Sequence, residues 1–288
     1  QGQVPPTCEI TVDKTGTTLS KVGDDADYTI TITNTKTTPL YKDDISDTLL
    51  GAIVTDGVDD VNPFITSNNC NDAGKNPLQP GDSCTITATR TILQGDPDPL
   101  PNTVTAVYNS KSDLSGAEID ASDDHEVNLF QPAIDVDKTG DEVSKVGDSV
   151  NYTITLSNNS SDDTPDLSCT AVDSLLGPLT IPDPLPLGDT VLTPSRTVQP
   201  GDPDPLVNTV TLTCSPAGFQ NILTASDDHS VDLFQPAITV DKTGDTLSKE
   251  GDDVTYTIEV CNTGNGQDLV MDSVIDDVLV ELSASFVL

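Results

Sequence analysis

Hydrophobic and polar residues alternate with a period of two in one stretch of the chain, and that stretch recurs. Its first copy reads Tyr-Thr-Ile-Thr-Ile-Thr, so that Tyr28, Ile30 and Ile32 share one face and threonines occupy the other. Such alternation predicts a β-strand with one buried face. Related stretches begin at Tyr152 and Tyr256, and each follows the motifs Val-Asp-Lys-Thr-Gly and Gly-Asp. The pattern therefore indicates a tandem repeat.

The spacing of the copies indicates that each one is a domain. Asp13, Asp137 and Asp241 hold the same place in the three copies, at intervals of 124 and 104 residues, which suits a domain and not one turn of a solenoid. A polar insertion at about residues 54–79 accounts for the longer first interval. The predicted domains are residues 1–131, 132–236 and 237–288, named here repeats one, two and three.

Short strands separated by turn signals predict an all-β fold. Gly and Pro number 19 and 21, and only seven of the 48 acidic residues are Glu, whereas Asp prefers turns. About seven strands per repeat, with turn signals every eight to twelve residues, predict tandem immunoglobulin-like β-sandwiches. The joins at 130–134 and 234–238 are short and contain proline, so we expect an elongated array.

The third sandwich is predicted to be incomplete, because residues 237–288 cover only half a period. Half a sandwich leaves open sheet edges and cannot bury its core. We expect either that the natural chain continues or that another chain supplies the missing strands.

Charge and hydropathy exclude several classes of partner. The formal net charge is −36, from 12 basic and 48 acidic residues. Nucleic acids and anionic membranes are bound by clustered Lys and Arg, so neither is expected as a partner. No apolar run reaches the roughly 18 residues that a membrane span requires, so we expect no membrane insertion of this chain.

The order of the motifs resembles a known family. Val-x-Lys-Thr, Val-Gly-Asp, Tyr-Thr-Ile-Thr, Leu-Leu-Gly, Gly-Asp-Pro-Asp-Pro-Leu and Asn-Thr-Val-Thr follow one another in repeats one and two, and repeat three has the first half of the series. This order is similar to that of the "domain of unknown function eleven" repeats, immunoglobulin-like modules of secreted and cell-wall proteins in bacteria and archaea. The resemblance implies an extracellular location and a structural role, and it implies no activity.

Two even pairs of cysteines predict one disulfide in each complete repeat. Cys70 and Cys84 lie in repeat one, and Cys169 and Cys214 lie in repeat two. We predict the bonds Cys70–Cys84 and Cys169–Cys214, with free thiols in a cytosolic protein as the alternative. The spacings do not suggest a zinc site.

Two further cysteines stay outside these pairs. Cys8 belongs to repeat one and Cys261 to repeat three, too far apart in an elongated array to meet within one chain. Cys261 could pair with a residue beyond Leu288. The sharper hypothesis is an intersubunit disulfide between Cys8 of one chain and Cys261 of the next.

Paired aspartates recur at equivalent places in both complete repeats, and such oxygen-rich segments suit calcium. The EF-hand pattern is absent, and capping of turns is the favoured explanation of the same residues. Calcium is the one cofactor hypothesis, and no cofactor is required. The candidate ligands are Asp96, Asp98, Asp123 and Asp124, with their counterparts Asp202, Asp204, Asp227 and Asp228.

Lysines recur at fixed positions of the repeat, and two roles are open for them. We expect ion pairs with nearby Asp residues that hold the turns. The sharper hypothesis is an isopeptide bond, in which a first-strand Lys attacks an Asn beside an acid. The pairs would be Lys14 with Asn102 and Lys138 with Asn208.

Three asparagines stand in the Asn-x-Ser/Thr pattern of glycosylation acceptors, namely Asn151, Asn158 and Asn159. The loop that begins at Asn158 is the better candidate, because it is predicted to be a turn. Such short patterns also arise by chance in chains rich in Ser and Thr.

The sequence predicts that the protein is not an enzyme. His125 and His229 are duplicated with the repeat, and Ser-Asp-Asp-His neighbours cannot converge as a catalytic triad must. No phosphate loop or dinucleotide fingerprint is present. We expect a structural protein of a prokaryotic cell surface, a rod in a fibre, sheath, stalk or surface layer. Its partners would be copies of itself, completing the half domain, or other surface components; the alternative is an adhesin that binds through its sandwich loops.

Overall fold

The computed structural model describes residues 9–283, and all the regular elements in that range are β-strands. The described part of the chain contains no helix that could span a membrane. The chain forms two compact units with a boundary between Gln131 and Pro132, but residues 161–164 belong to the first unit. The first unit holds repeat one, and the second holds repeats two and three.

Repeat one forms two sheets, and each follows an immunoglobulin-like order. The first sheet runs β1-β3-β8-β7 and the second runs β2-β10-β9-β4-β5-β6. The strands are β1 (Ile10–Gly16), β2 (Leu19–Ser20), β3 (Asp25–Asn34), β4 (Tyr41–Asp47), β5 (Gly51–Thr55), β6 (Val58–Asp59), β7 (Ile65–Asn68), β8 (Ser83–Thr91), β9 (Leu100–Asn109) and β10 (Glu118–Leu129).

Repeat two has the same arrangement with fewer strands. Its sheets run β11-β13-β16, with β17 also paired to β13, and β12-β19-β18-β14-β15. The strands are β11 (Ile134–Gly140), β12 (Val143–Ser144), β13 (Ser149–Asn158), β14 (Leu167–Asp173), β15 (Gly177–Leu179), β16 (Gly188–Leu192), β17 (Ser195–Thr197), β18 (Leu206–Pro216) and β19 (Leu223–Leu233).

The division of the first strand between the two sheets identifies the sandwich type. β1 pairs antiparallel with β3 in one sheet, and β2 then pairs parallel with β10 in the other. β11 and β12 repeat this division against β13 and β19. With the last two strands adjacent in the second sheet, this is the strand order of an immunoglobulin-like sandwich. The predicted fold class is confirmed.

Repeat three is incomplete and keeps two small antiparallel sheets. β20 (Ile238–Gly244) pairs with β21 (Tyr256–Asn262), and β22 (Ile275–Asp276) pairs with β23 (Val280–Glu281). None of its described residues belongs to the four buried hydrophobic clusters, which lie in repeats one and two.

The core of repeat one consists of two apolar clusters that meet along β3. Ile30 and Ile32 pack in the larger cluster with residues such as Val104, while Tyr28 packs in the smaller cluster with residues such as Leu129. The alternation along β3 explains both, because every second side chain enters the space between the sheets. Lys14 of β1 lies opposite Ile30 in the register, close to the place where the clusters meet.

The insertion predicted at residues 54–79 is more ordered than its polar sequence indicates. It contains β6 and β7, and β7 forms the edge of the first sheet beside β8. Leu78 and Cys70 within it are buried in the main core. Isolated buried residues anchor these segments, and they produce no periodic signal in the sequence.

Candidate functional site

A buried lysine–aspartate pair lies inside each complete repeat. Lys14 Nζ on β1 donates to Oδ2 of Asp47 at the end of β4, and both side chains are 0% exposed. Lys138 and Asp173 form the same fully buried pair in repeat two. Buried charges are costly unless their remaining hydrogen-bonding capacity is satisfied, so the supporting contacts decide what this pair does.

The turn after β4 holds the aspartate in place. Asp47 Oδ1 accepts hydrogen bonds from the backbone N–H groups of Leu49 and Leu50, both at 2.9 Å. Asp173 accepts from the N–H groups two and three residues later, again at 2.9 Å. An Asp that bonds its own following backbone in this way is a common turn device. One carboxylate oxygen thus caps the turn, and the other is directed at the lysine.

A buried asparagine lies beside each pair. Asn102 of β9 accepts at Oδ1 from Thr48 Oγ1 at 3.1 Å and from the Leu49 N–H at 3.4 Å. Because the Leu49 N–H also donates to Asp47, the two side chains meet at one donor. Asn102 Nδ2 has no hydrogen-bond partner although it is buried. Unpaired buried donors are rare and call for an explanation.

Repeat two contains the same unpaired amide. Asn208 of β18 accepts at Oδ1 from Ser174 Oγ at 3.0 Å, and its buried Nδ2 is also without a partner. The residue that precedes the leucine changes from Thr48 to Ser174, and the hydroxyl donor is kept. We name the sets Lys14, Asp47, Asn102 and Lys138, Asp173, Asn208 the Lys–Asp–Asn clusters.

A tyrosine ring packs against the lysine, and a histidine packs against that ring. Lys14 Nζ lies 5.1 Å from the centroid of the Tyr28 ring, a cation–π distance. The His125 ring packs edge-on against Tyr28 at 6.1 Å, and its Nε2 lies 2.8 Å from the Thr17 carbonyl oxygen. Repeat two has the same contacts, with Lys138 at 4.6 Å from the Tyr152 ring. Each histidine therefore has a structural position, as its duplication predicts.

Burial changes the protonation of the groups around Lys14. Desolvation lowers the pKa of Lys14, and the hydrogen bond and charge of Asp47 oppose the decrease. Desolvation also raises the pKa of Tyr28. Asn102 lies close enough to the Tyr28 hydroxyl to oppose part of that rise, although the contact lacks the geometry of a hydrogen bond. All three groups therefore lie together in a part of the core that excludes solvent, namely the Asn102 amide, the Tyr28 hydroxyl and the Lys14 amine.

Both predicted disulfides are present in the structure. Cys70 is bonded to Cys84, with a Cα–Cα distance of 4.9 Å, and Cys169 is bonded to Cys214 at 4.1 Å. Cys261 is exposed and unbonded, and the negative charge of Glu259 is the main cause of a raised pKa of its thiol. Cys8 lies outside the described residues, so the intersubunit disulfide stays a prediction.

The structure does not bring the candidate calcium ligands of repeat one together. Asp123 and Asp124 are neighbours on β10, so their side chains lie on opposite faces of the sheet. Asp123 accepts from the Lys14 backbone N–H at 2.7 Å, and Asp98 accepts from the Leu129 N–H at 3.0 Å. These carboxylates hold strands to one another, so the calcium hypothesis is not supported there.

The remaining loop aspartate of each repeat binds an arginine. Arg90 donates to both oxygens of Asp96 at 2.7 and 2.9 Å, and Arg196 donates to Asp202 at 2.6 and 2.8 Å. Two parallel hydrogen bonds from one guanidinium group to one carboxylate fix the relative orientation of the two side chains. The residues Asp204, Asp227 and Asp228 of repeat two repeat the positions of Asp98, Asp123 and Asp124.

Another set of carboxylates is close enough to share an ion. Among residues 9–283, Asp43, Asp44 and Asp56 bring their oxygens within 4.8 Å of one another, and none of them is a predicted ligand. Asp44 Oδ1 accepts from the Asp56 backbone N–H at 2.8 Å, so part of this set closes a turn.

The prediction for the glycosylation loop is wrong for Asn158. Its side chain is buried and donates to the Leu185 carbonyl oxygen at 2.9 Å, so it is inaccessible to a transferase. Asn34 occupies the equivalent place in repeat one and donates to Leu78 in the same manner. Asn151 and Asn159 are exposed, and they stay candidates for modification.

The hydrophobic pattern and the repeated motifs do not single out the acid of the Lys–Asp–Asn clusters. Asp47 and Asp173 open the related runs Asp-Thr-Leu-Leu-Gly and Asp-Ser-Leu-Leu-Gly. Alignment of the two runs against the lysine repeats would have located them, because a carboxylate repeated in step with a buried lysine is its natural partner. The alternating pattern predicts only that Tyr28 faces the core.

Comparisons with known proteins add little to this picture. No protein-family model and no curated protein matches the chain. Among solved structures, the full ectodomain of mouse nectin-like molecule 4 matches with a TM-score of 0.26 and 12% identity, covering 77% of this chain and 63% of that one.

Two further structures match at similar levels. A marsupial T cell receptor has a TM-score of 0.33 and 9% identity, covering 90% of this chain and 100% of its own. A tetra-tandem repeat from the extending region of a large adhesion protein has a TM-score of 0.25 and 15% identity, covering 88% and 62%. These scores are too low to carry an argument, so the fold assignment depends on the strand order.

Proposed function

We propose that the chain is a structural component of a prokaryotic cell surface, built from immunoglobulin-like modules. One observation carries the proposal: both complete repeats use equivalent polar groups for the same internal bonds. Lys14–Asp47 recurs as Lys138–Asp173, and Arg90–Asp96 recurs as Arg196–Asp202. These recurring pairs link groups within each repeat, as expected of modules whose polar groups maintain the fold.

The covalent and electrostatic features support a location outside the cell. Each complete repeat carries a disulfide, and such bonds persist mainly in oxidising compartments. A net charge of −36 favours solubility and repulsion over nonspecific association. The resemblance to surface-protein repeats supports the same conclusion and stays a prediction.

Within this role, we favour a load-bearing array over a loose chain of beads. The joins between the repeats are short and carry proline in the same place, which limits the freedom of neighbouring modules. The modules would then space or form part of a fibre, sheath, stalk or surface layer.

Labelling of intact cells tests the location. Antibodies raised against this chain are expected to label unpermeabilised cells of the source organism, and brief external protease treatment is expected to remove the signal. A cytosolic protein of the same cells serves as the control, since it should be labelled only after permeabilisation. Signal from this chain only after permeabilisation would contradict the proposal.

The exposed faces of repeat three favour assembly with further strands. Tyr256 is 42% exposed, whereas its counterparts Tyr28 and Tyr152 are each 1% exposed. Val240 is also exposed, although its counterpart Val136 is buried. We propose that a strand from a second copy can complete this sandwich in the manner of strand addition. Sedimentation across a concentration series tests this, because a chain that stays monomeric throughout would contradict it.

A further inference from the structure

We propose that each Lys–Asp–Asn cluster is a self-reacting site that joins its lysine to its asparagine by an amide bond. Lys14 Nζ would bond to Cγ of Asn102, and Lys138 Nζ would bond to Cγ of Asn208. The folded protein itself supplies the acid–base group, which is Asp47 in repeat one and Asp173 in repeat two. This inference goes beyond the structural role and does not depend on where the protein is located.

The nucleophile has the environment that the reaction needs. An amine attacks a carbonyl carbon only when it is neutral, and burial favours the neutral form of Lys14. Lys14 Nζ donates directly to Asp47, so a carboxylate stands ready to accept the proton that must leave. The Tyr28 ring beside it keeps the amine away from water.

The electrophile is polarised by two donors. Thr48 Oγ1 and the Leu49 N–H both donate to Oδ1 of Asn102, the atom on which negative charge develops when the carbonyl carbon is attacked. Fixed donors directed at a developing oxyanion are a major source of catalysis in acyl transfer. In repeat two the Ser174 hydroxyl donates to Asn208 Oδ1.

In each cluster, the leaving group is a buried amide nitrogen that has no hydrogen-bond partner. Asn102 Nδ2 and Asn208 Nδ2 are both unpaired, although a structural asparagine at these positions would be expected to use its amide. Loss of this nitrogen as ammonia would remove the unpaired donor. The same orphan atom in two independent repeats is the observation that distinguishes this site from a plain buried ion pair.

The reaction balances without any other reactant. The Nζ–Cγ bond forms and the Cγ–Nδ2 bond breaks. Asp47 accepts a proton from the lysine nitrogen and delivers it to the departing Nδ2, which leaves as ammonia. A lysine that starts as –NH3+ loses a second proton, which Asp47 passes to the ammonia so that it departs as ammonium. The carboxylate is regenerated, and a neutral amide remains at Lys14.

The bond would connect strands of opposite sheets. Lys14 is on β1 of the first sheet, and Asn102 is on β9 of the second. A cross-link between them would close a long loop that remains closed in the unfolded chain. Unlike the disulfides, this link would resist reducing agents.

Peptide mapping of the full chain tests the proposal directly. The protein is purified folded, then denatured, reduced and cleaved before aspartate, which places Lys14 in residues 13–23 and Asn102 in residues 98–112. We expect a branched peptide that joins these segments, lighter than their sum by one ammonia, and a second one that joins residues 137–140 to 204–226. Separate linear peptides with intact Lys14 and Asn102 would overturn the proposal.

Intact mass alone does not decide the matter. When Gln1 stands at the amino terminus it also releases ammonia on cyclising, and an asparagine can lose ammonia to its own backbone. Fragmentation spectra that place the branch at Lys14, and not at Lys21 of the same peptide, exclude both sources. Lys242 is an internal control, because residues 237–283 contain its partner Asp276 but no counterpart of Asn102.

Two variants test the assigned roles, and each repeat is the control for the other. Lys14→Arg keeps the positive charge and removes the nucleophile, and Asp47→Asn keeps the shape and removes the proton acceptor. Each is expected to abolish the branch in repeat one and to leave the branch between Lys138 and Asn208 at its wild-type yield. Full cross-linking of repeat one in Asp47→Asn would overturn the role given to the aspartate.

Discussion

The same seven residues, Ile-Thr-Val-Asp-Lys-Thr-Gly, form β1 in repeat one and β20 in repeat three, and their surroundings differ. In β1 the first residue and the lysine are buried, while all seven residues of β20 are exposed. Both strands pair with the following long strand in the same antiparallel register. Strand pairing is therefore encoded locally, and burial depends on the strands that follow.

The lysine–aspartate pair likewise forms in both repeats, but it is buried only in repeat one. Lys242 bonds to Asp276, which also caps the turn after it, as Asp47 does in repeat one. The lysine side chain is nevertheless 38% exposed, whereas that of Lys14 is 0% exposed. The bond to Asp276 raises the pKa of Lys242, and burial lowers the pKa of Lys14. The later strands convert an ordinary ion pair into a desolvated site.

Replacement of the lysine by a neutral residue is expected to give the largest difference in stability loss between repeats one and three. Lys14→Met leaves the buried Asp47 without its partner, and removal of one member of such a pair costs about 3–5 kcal/mol. Lys242→Met exposes no buried charge and is expected to change little. Chemical denaturation of both variants measures the difference, and equal losses of stability would contradict the comparison.

Removal of the disulfide of repeat one is also expected to have a large effect. The double change Cys70→Ser with Cys84→Ser opens a loop of 14 residues, which is expected to cost about 3 kcal/mol. Cys261→Ser is the matched control, because this thiol is exposed and unbonded. The shift of the denaturation midpoint should follow the double variant alone.

Replacement of the equivalent tyrosines of repeats two and three by lysine should affect the fold in one repeat and self-association in the other. Tyr152→Lys puts an unpaired charge into a closed core and is expected to unfold repeat two. Tyr256→Lys is expected to leave the fold intact and to weaken self-association, since Tyr256 is exposed. Circular dichroism and sedimentation separate the two effects. Unfolding by Tyr256→Lys would show that repeat three has a core of its own.

Low pH should reduce the stability of the complete repeats, because it protonates the aspartates that accept two hydrogen bonds from an arginine. The hydrogen bond from Arg90 holds the pKa of Asp96 below its ordinary value of about 3.8. The stabilisation is therefore present above that value and is lost as the pH falls towards the lowered pKa. Asp96→Asn should reduce the loss of stability of repeat one in this range by a small amount. An unchanged pH profile would contradict the role given to this arginine–aspartate pair.

The fold could be predicted because its signals are periodic. The alternation of Tyr28, Ile30 and Ile32 located β3, and the repeated motifs located the equivalent strand β13. β7 and the buried Leu78 could not be predicted in the same way, since single buried residues in a polar insertion leave no period.

The candidate site was predicted in part, because residues distant in sequence converge there. The lysines and asparagines of the clusters stood out by repetition, while Asp47 depends on a turn that brings its carboxylate under β1. The buried Asn158 shows the opposite error. Its sequence pattern indicates an exposed turn, but the carboxamide turns inward to bond Leu185.

Hydrogen exchange of β1 and β20 tests most directly the claim that the buried site forms only where a repeat is complete. The two strands have one sequence, so their intrinsic exchange rates are nearly the same and differences in protection report the structure around them. We predict strong protection of Ile10–Gly16 and weak protection of Ile238–Gly244 in the monomeric chain. Equal protection of the two strands would contradict the account.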